Sequence, residues 1–200
     1  MTDAVKEDLD KWFSSDNQFH ALFPDSVHEF ARNHWTPLRI AQKAADFLAA
    51  EGGVKILDIG SGIGKFCLAA AYYKPNAFYY GIEQREDLVA YAEKARLFLG
   101  MTNVSFVKGN FLELDFAHYD HFYFYNSFYE NLIHTHKIDE NVNYSIELYN
   151  QYSRYLYRQL SKKPSGTRVV TFHGMDDILP PGYLEGGSEV NNLLKYWIKE

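Results

Sequence analysis

One cysteine, Cys67, is the only thiol in the 200 residues, so no disulfide closes within the chain and nothing demands an oxidising compartment. No apolar run approaches the ~20 residues that span a bilayer. The opening stretch is charged (Asp3, Lys6, Glu7, Asp8) where a signal peptide would be apolar. These absences point to a cytoplasmic chain with no membrane partner. Basic runs are missing as well. With 20 Lys and Arg against 26 Asp and Glu the net charge is -6, which leaves no footprint for a phosphate backbone, and no nucleic-acid partner is expected. Repeats, low-complexity tracts and long linkers are also absent, so the length suits one domain with at most a small appendage. What the chain has in excess is rings. Its 16 Tyr, 15 Phe and 3 Trp can fill a core and still line a pocket or a protein-facing surface.

Strand and helix signals take turns along the chain. Residues 1–35 read as one or two short helices broken near Phe23-Pro24-Asp25, forming either a lid or a packing extension, and residues 36–200 as the main domain. Thr36 and Pro37 mark a helix start, with Ala41, Ala44, Ala45 and Leu48 on one face and Gly52-Gly53 as the stop. Strands follow at Val54 to Ile59, Phe78 to Ile82, Val104 to Lys108, His121 to Tyr125 and Arg168 to Phe172. Helices separate them at Lys65 to Tyr73, Arg85 to Leu99 and Asp139 to Leu160, and Leu193 to Ile198 reads as a last strand. This alternation predicts right-handed crossovers and an α/β fold, a mostly parallel sheet with helices on both faces.

In such a sheet ligands bind at the carboxyl ends of the strands. The first strand runs straight into Asp58-Ile59-Gly60-Ser61-Gly62-Ile63-Gly64, a bend that both dinucleotide and adenosylmethionine sites use. Two details separate those ligands. The dinucleotide fingerprint requires a third glycine where Lys65 stands. Asp58 beside the bend repels a pyrophosphate but favours a phosphate-free nucleoside carrying an ammonium and a sulfonium. Downstream, Glu83 ends the second strand, placed to accept hydrogen bonds from ribose hydroxyls. Asn110 and Phe111 follow the third, an amide for an adenine edge and a ring to cover it.

Taken together these residues resemble the class I, Rossmann-like, S-adenosylmethionine-dependent methyltransferase superfamily over roughly residues 36 to 172. The resemblance implies a three-layer α/β/α sandwich with a Rossmann-like sheet and S-adenosylmethionine as cofactor. It implies Asp58, Gly60 and Gly62 on the methionine side, Glu83 at the ribose and Asn110 with Phe111 at the adenine, with Ser61, Gly64 and Gln84 as further cofactor contacts. The superfamily more often has Asp where this chain has Asn110, and its sheet usually closes with a reversed strand.

The acceptor is expected at the fourth strand end, in Asn126-Ser127-Phe128-Tyr129-Glu130. This segment resembles the Asn-Pro-Pro-Tyr loop of amino-group methyltransferases without its prolines, and more faintly the loop of the non-SET histone-lysine enzymes. Asn126 and Tyr129 are read as orienting an amine, Asn126 also as a cofactor contact and Glu130 as an optional base, for N-methylation of a protein side chain or small amine. The competing reading of Asn126 is a plain strand terminator. The aromatic stretch Tyr119 to Tyr129 walls a pocket or forms buried strand, and His173 is either a base or a strand end. His118, His121, His134 and His136 are read as solvated loop residues rather than metal ligands, since no cysteine or acid cluster accompanies them. An O-methyltransferase, a non-catalytic binding domain and a dinucleotide-dependent oxidoreductase remain the alternatives. Nothing in the sequence specifies an oligomer.

Overall fold

A computed structural model of the chain describes residues 9–132, 137–174 and 179–200. Short helices α1 (Asp16–His20), α2 (Asp25–His28) and α3 (Ala31–His34) precede α4 (Leu38–Leu48). Then β1 (Lys55–Ile59), α5 (Lys65–Tyr73), β2 (Phe78–Glu83), α6 (Glu86–Phe98), β3 (Val104–Lys108) and β4 (His121–Tyr125) follow. The chain continues through α7 (Ile146–Ser161), β5 (Arg168–Phe172), β6 (Tyr183–Glu189) and β7 (Leu194–Lys199). Seven strands form one sheet in the order β3-β2-β1-β4-β5-β7-β6. β1 to β5 are parallel, while β7 runs antiparallel to both β5 and β6. β7 is therefore the reversed strand that the superfamily resemblance implies.

Both faces of the sheet are covered at its centre, which is why β1, β4 and β5 are buried almost throughout. Along β1 the side chains alternate. Ile56 joins a cluster with α4, α5, α6 and the N-terminal segment, whereas Leu57 and Ile59 join a second cluster with α7. The predicted face of α4 is buried in full. Strand order reverses between β1 and β4, and the crevice outside their carboxyl ends is where such a fold binds ligands.

Four expectations need correction. α4 starts at Leu38 because the Thr36 hydroxyl is engaged with Tyr123 Oη (3.0 Å); Asp16, brought in from α1, takes the Leu38 N–H instead (3.0 Å). α4 also stops at Leu48, ahead of Gly52-Gly53. The helix expected from Asp139 starts at Ile146, because the Asp139 carboxylate accepts the Asn141 N–H (2.7 Å) and the Tyr144 hydroxyl donates to the Asp139 carbonyl (2.7 Å). Such local bonds compete with a helix, and Ser145 caps the one that follows. The unexpected β6 contains Gly186-Gly187 and bulges between Glu185 and Gly187, so its signal reads as a loop.

Candidate functional site

β1 delivers Asp58 and Ile59 to the switch point, and the chain then bends with positive φ at Gly60 (74°) and Gly62 (53°). A Cβ at Gly60 would lie 2.5 Å from the Ser127 Cβ, and one at Gly62 would lie 2.5 Å from the Trp35 ring. Glycine is thus required both for the bend and for two close approaches. The Ser127 hydroxyl donates to the Ile59 carbonyl, pinning the β4 turn onto the glycine turn. Ser61 has a buried hydroxyl with no hydrogen-bond partner among the described residues. Asp58 is buried behind the bend with the Cys67 thiol donating to it (3.7 Å), and burial pushes its carboxyl up to about 8. It borders a recess of about 10 Å³ shared with Trp35, Ser61 and Lys65.

At the end of β2, the Glu83 carboxylate accepts the N–H groups of Gly62 (3.1 Å), Gln84 (2.9 Å) and Arg85 (3.1 Å). Burial still raises its pKa against the opposing pull of the Arg85 guanidinium and those donors. Gln84 is exposed, 3.5 Å from the Asn110 amide. Asn110 caps the short helix Phe111–Glu113 through its side-chain oxygen and donates to Tyr152 Oη (3.2 Å). Phe111 is buried with its ring stacked on Phe128 (5.0 Å), so it forms a wall rather than a free cover.

Two hollows meet at this point. A narrow crevice of about 50 Å³ runs between Ile82, Glu83, Phe111, Phe128 and Tyr144. A cavity of about 460 Å³ opens beside it, walled by His34, Trp35, Tyr125, Tyr129 and His173. Gly60, Glu83, Arg85, Ser127 and Glu130 border both. Asn126 borders the cavity with a left-handed backbone (φ 43°), a conformation asparagine tolerates better than most residues. Tyr129 is 46% exposed beside it. The rest of the aromatic stretch is structural, with Phe122, Tyr123, Phe124 and Phe128 buried.

Glu130 is not placed as an independent base. It is buried against the Arg85 guanidinium, accepts the Ile138 N–H (3.2 Å) and stands 3.4 Å from His34 Nδ1. His173, with positive φ, packs on Tyr125 and borders the cavity, and partial burial lowers its pKa. His121 is a correction: it is buried in β4 and accepts the Arg168 N–H (3.0 Å) rather than being solvated. His118 is exposed, and His134 and His136 lie outside the described residues. Among the described residues no group of His, Cys, Asp and Glu is placed to hold a metal, and no helix is long and apolar enough to cross a membrane.

Sequence reasoning missed two buried cations. Lys65, opening α5, pairs with Asp16 and contacts His20 Nε2 at 2.9 Å. Burial and the nearby ammonium drive His20 down to about 4, so its neutral ring accepts that hydrogen bond. Arg85, preceding α6, contacts Glu83, Glu130 and Asp139. The available signal was that both stand at helix N-termini, where the macrodipole disfavours a cation.

The sequence profile of a methyltransferase domain matches residues 50–159. A tRNA (guanine-N(7)-)-methyltransferase of Microcystis aeruginosa is 46% identical over 54 residues, 27% of this chain and 26% of that one, so the match spans about a quarter of the relative. The fold is similar to that of an RNA methyltransferase from Salinibacter ruber crystallised with S-adenosyl-L-homocysteine. The TM-score is 0.58 at 21% identity, over 82% of this chain and 92% of that one. TrmN from Thermus thermophilus gives a TM-score of 0.58 at 19% identity, covering 86% and 51% respectively. The tRNA enzyme overturns the expectation that nucleic acid is excluded as a partner. The physical reason is that net charge is a sum over the whole surface and does not describe the electrostatics of one face. With the switch-point crevice, the glycine turn and the reversed β7 in place, the profile match completes the case: the chain belongs to the methyltransferase-domain family.

Proposed function

We propose that the chain is an S-adenosylmethionine-dependent methyltransferase that transfers the methyl group to a nitrogen presented at the turn after β4, with Asn126 and Tyr129 orienting the acceptor. The observation that carries this reading is Asn126 at the rim of the ring-lined cavity, one residue before the serine that clamps that turn to the glycine bend. A hydrogen-bonding side chain there can fix the direction of an amine lone pair, and alignment is most of what methyl transfer asks of a protein.

The residues present fit the cofactor. Lys65 and Arg85 are outnumbered by Asp16, Glu83, Glu130 and Asp139, so the neighbourhood favours a cationic, phosphate-free nucleoside. Among the described residues Glu83 Oε2 accepts one hydrogen bond, from the Gly62 N–H, and keeps acceptor capacity for a ribose hydroxyl. The buried Ser61 hydroxyl supplies a further unengaged polar atom at the bend. In this assignment Gly60, Ser61, Gly62 and Gly64 form the methionine end, Asp58 supports it from behind, and Gln84, Asn110 and Phe111 border the adenine. When bound, S-adenosylmethionine supplies an electrophilic methyl group on a sulfonium. The protein's part is to hold the acceptor, exclude water and take up its proton, a role we assign to His173, which borders the cavity. The described part of the N-terminal segment, residues 9–35, is assigned as a cover, since Trp35 lies against Gly62.

A second reading, an RNA base as acceptor, is favoured by the tRNA-modifying relative and by the rings around the cavity, which suit a stacked nucleobase. Incubation of a cell lysate with tritiated S-adenosylmethionine, followed by nuclease, protease or ultrafiltration, separates RNA, protein and small-amine acceptors. Mass spectrometry of the product then decides the atom. An N-methyl product is expected, and an O- or C-methyl product overturns the proposal.

A further inference from the structure

Arg85 is buried where the crevice and the cavity meet, and its contacts come from three segments. Nη1 donates to Glu83 at the end of β2 (3.4 Å) and Nη2 to Glu130 in the β4 turn. Nη2 also donates to Tyr144 Oη (2.7 Å), and Nε to Asp139 (3.1 Å), both in the strap 137–145 that leads into α7. Burying this charge is costly, and the N-terminus of α6 opposes it further, so only this set of acids makes the position tenable. A guanidinium presents its donors in a rigid plane, so partners that bind it are held at fixed mutual spacing.

We propose that Arg85 is a positioning residue for methyl transfer, setting the ribose acid Glu83 against the acceptor turn and drawing the strap 137–145 over the nucleoside crevice. The proposal rests on the reading that this crevice holds the nucleoside. It separates two functions by partner: Asp139 and Tyr144 act on cofactor affinity, whereas Glu130 acts on the acceptor turn.

The test is titration calorimetry with S-adenosylhomocysteine on Arg85→Gln, Arg85→Lys, Asp139→Asn and Glu130→Gln, with thermal melting of each unliganded variant. Apparent Vmax is also measured with tritiated S-adenosylmethionine on the lysate fraction that the parent enzyme labels. Loss of charged hydrogen bonds predicts affinity weakened about thirtyfold or more in Arg85→Gln and about fivefold in Asp139→Asn. Arg85→Lys, a point charge without the fork, stays about tenfold weak. Glu130→Gln keeps affinity within about twofold while Vmax falls about tenfold. Variants that melt earlier yet bind S-adenosylhomocysteine like the parent show a purely structural arginine and overturn the proposal. Should Arg85→Gln fail to fold, parental affinity in Arg85→Lys and Asp139→Asn overturns it equally. A parent enzyme that does not bind S-adenosylhomocysteine overturns instead the assignment of the crevice to the nucleoside.

Discussion

The crevice and the cavity share one row of strand ends yet are built from opposite materials. The crevice holds about 50 Å³ and is closed by polar ties, with Arg85 fastening Asp139 and Tyr144 across it. The cavity holds about 460 Å³ and is walled by rings, of which Tyr129 is 46% exposed. Directional bonds specify a ligand that never changes; ring faces accept flat or cationic groups with fewer demands. On the proposed assignment, the contrast teaches that the nucleoside end is specified mainly by hydrogen bonds and the acceptor end mainly by shape.

Four experiments break or sharpen that contrast. The largest effect is expected for Glu83→Ala, which removes the acceptor of three backbone N–H groups and one partner of a buried guanidinium. S-adenosylhomocysteine affinity should fall about a hundredfold or more by calorimetry, and parental affinity would erase the polar character assigned to the crevice. Next comes Asn126→Gly. Because φ is 43° there, glycine preserves the backbone where alanine strains it. Turnover should fall about a hundredfold while the melting temperature and S-adenosylhomocysteine affinity hold; unchanged turnover removes Asn126 from the acceptor site. Gly62→Ala is smaller. The new methyl meets the Trp35 ring in a left-handed backbone, so a stability loss of about 1–3 kcal/mol and a shift in tryptophan emission are expected. Parental emission and stability would mean that Trp35 is not held against the bend.

The mildest expectation concerns pH. In the free protein Asp58 keeps its proton up to about 8, against 3.8 for an ordinary aspartate, because burial disfavours the charge. Its contribution to stability is therefore full below pH 3.8 and lost progressively as pH rises through about 8. A cationic ligand favours the ionised form, so S-adenosylmethionine binding should strengthen a few-fold from pH 6 to 8 and release a fraction of a proton. Calorimetry in buffers of differing ionisation heat measures that proton, and Asp58→Asn should abolish it. A pH-independent parent would place Asp58 out of electrostatic reach of the ligand.

How much was legible follows from which forces are local. β1 to β5 are short apolar runs bounded by turns, and their alternation with helices is enough for a parallel sheet with right-handed crossovers, whereas the order of the strands within it is not a local property. The glycine bend and Glu83 announce themselves because each residue type answers a local requirement. Phe111 was read as a free ring because nothing local reveals that Phe128 stacks on it from another strand end. The start of α7 was misplaced because Asp139 and Tyr144 bond locally and to Arg85 in preference to the helix ladder. Lys65 and Arg85 were missed because their meaning lies in carboxylates contributed by distant segments. Glu130 looked like a base for the same reason, since its partner Arg85 is forty-five residues away.

The place of β7 between β5 and β6 has a consequence for synthesis. A ribosome releases Tyr183–Glu189 before Leu194–Lys199, so β6 emerges with no neighbour to join and waits beside an open β5 edge. Only when the later strand slides between them, head to tail with both, does that flank close. Until then the folding chain carries two unpaired edges, each open to pairing with another molecule.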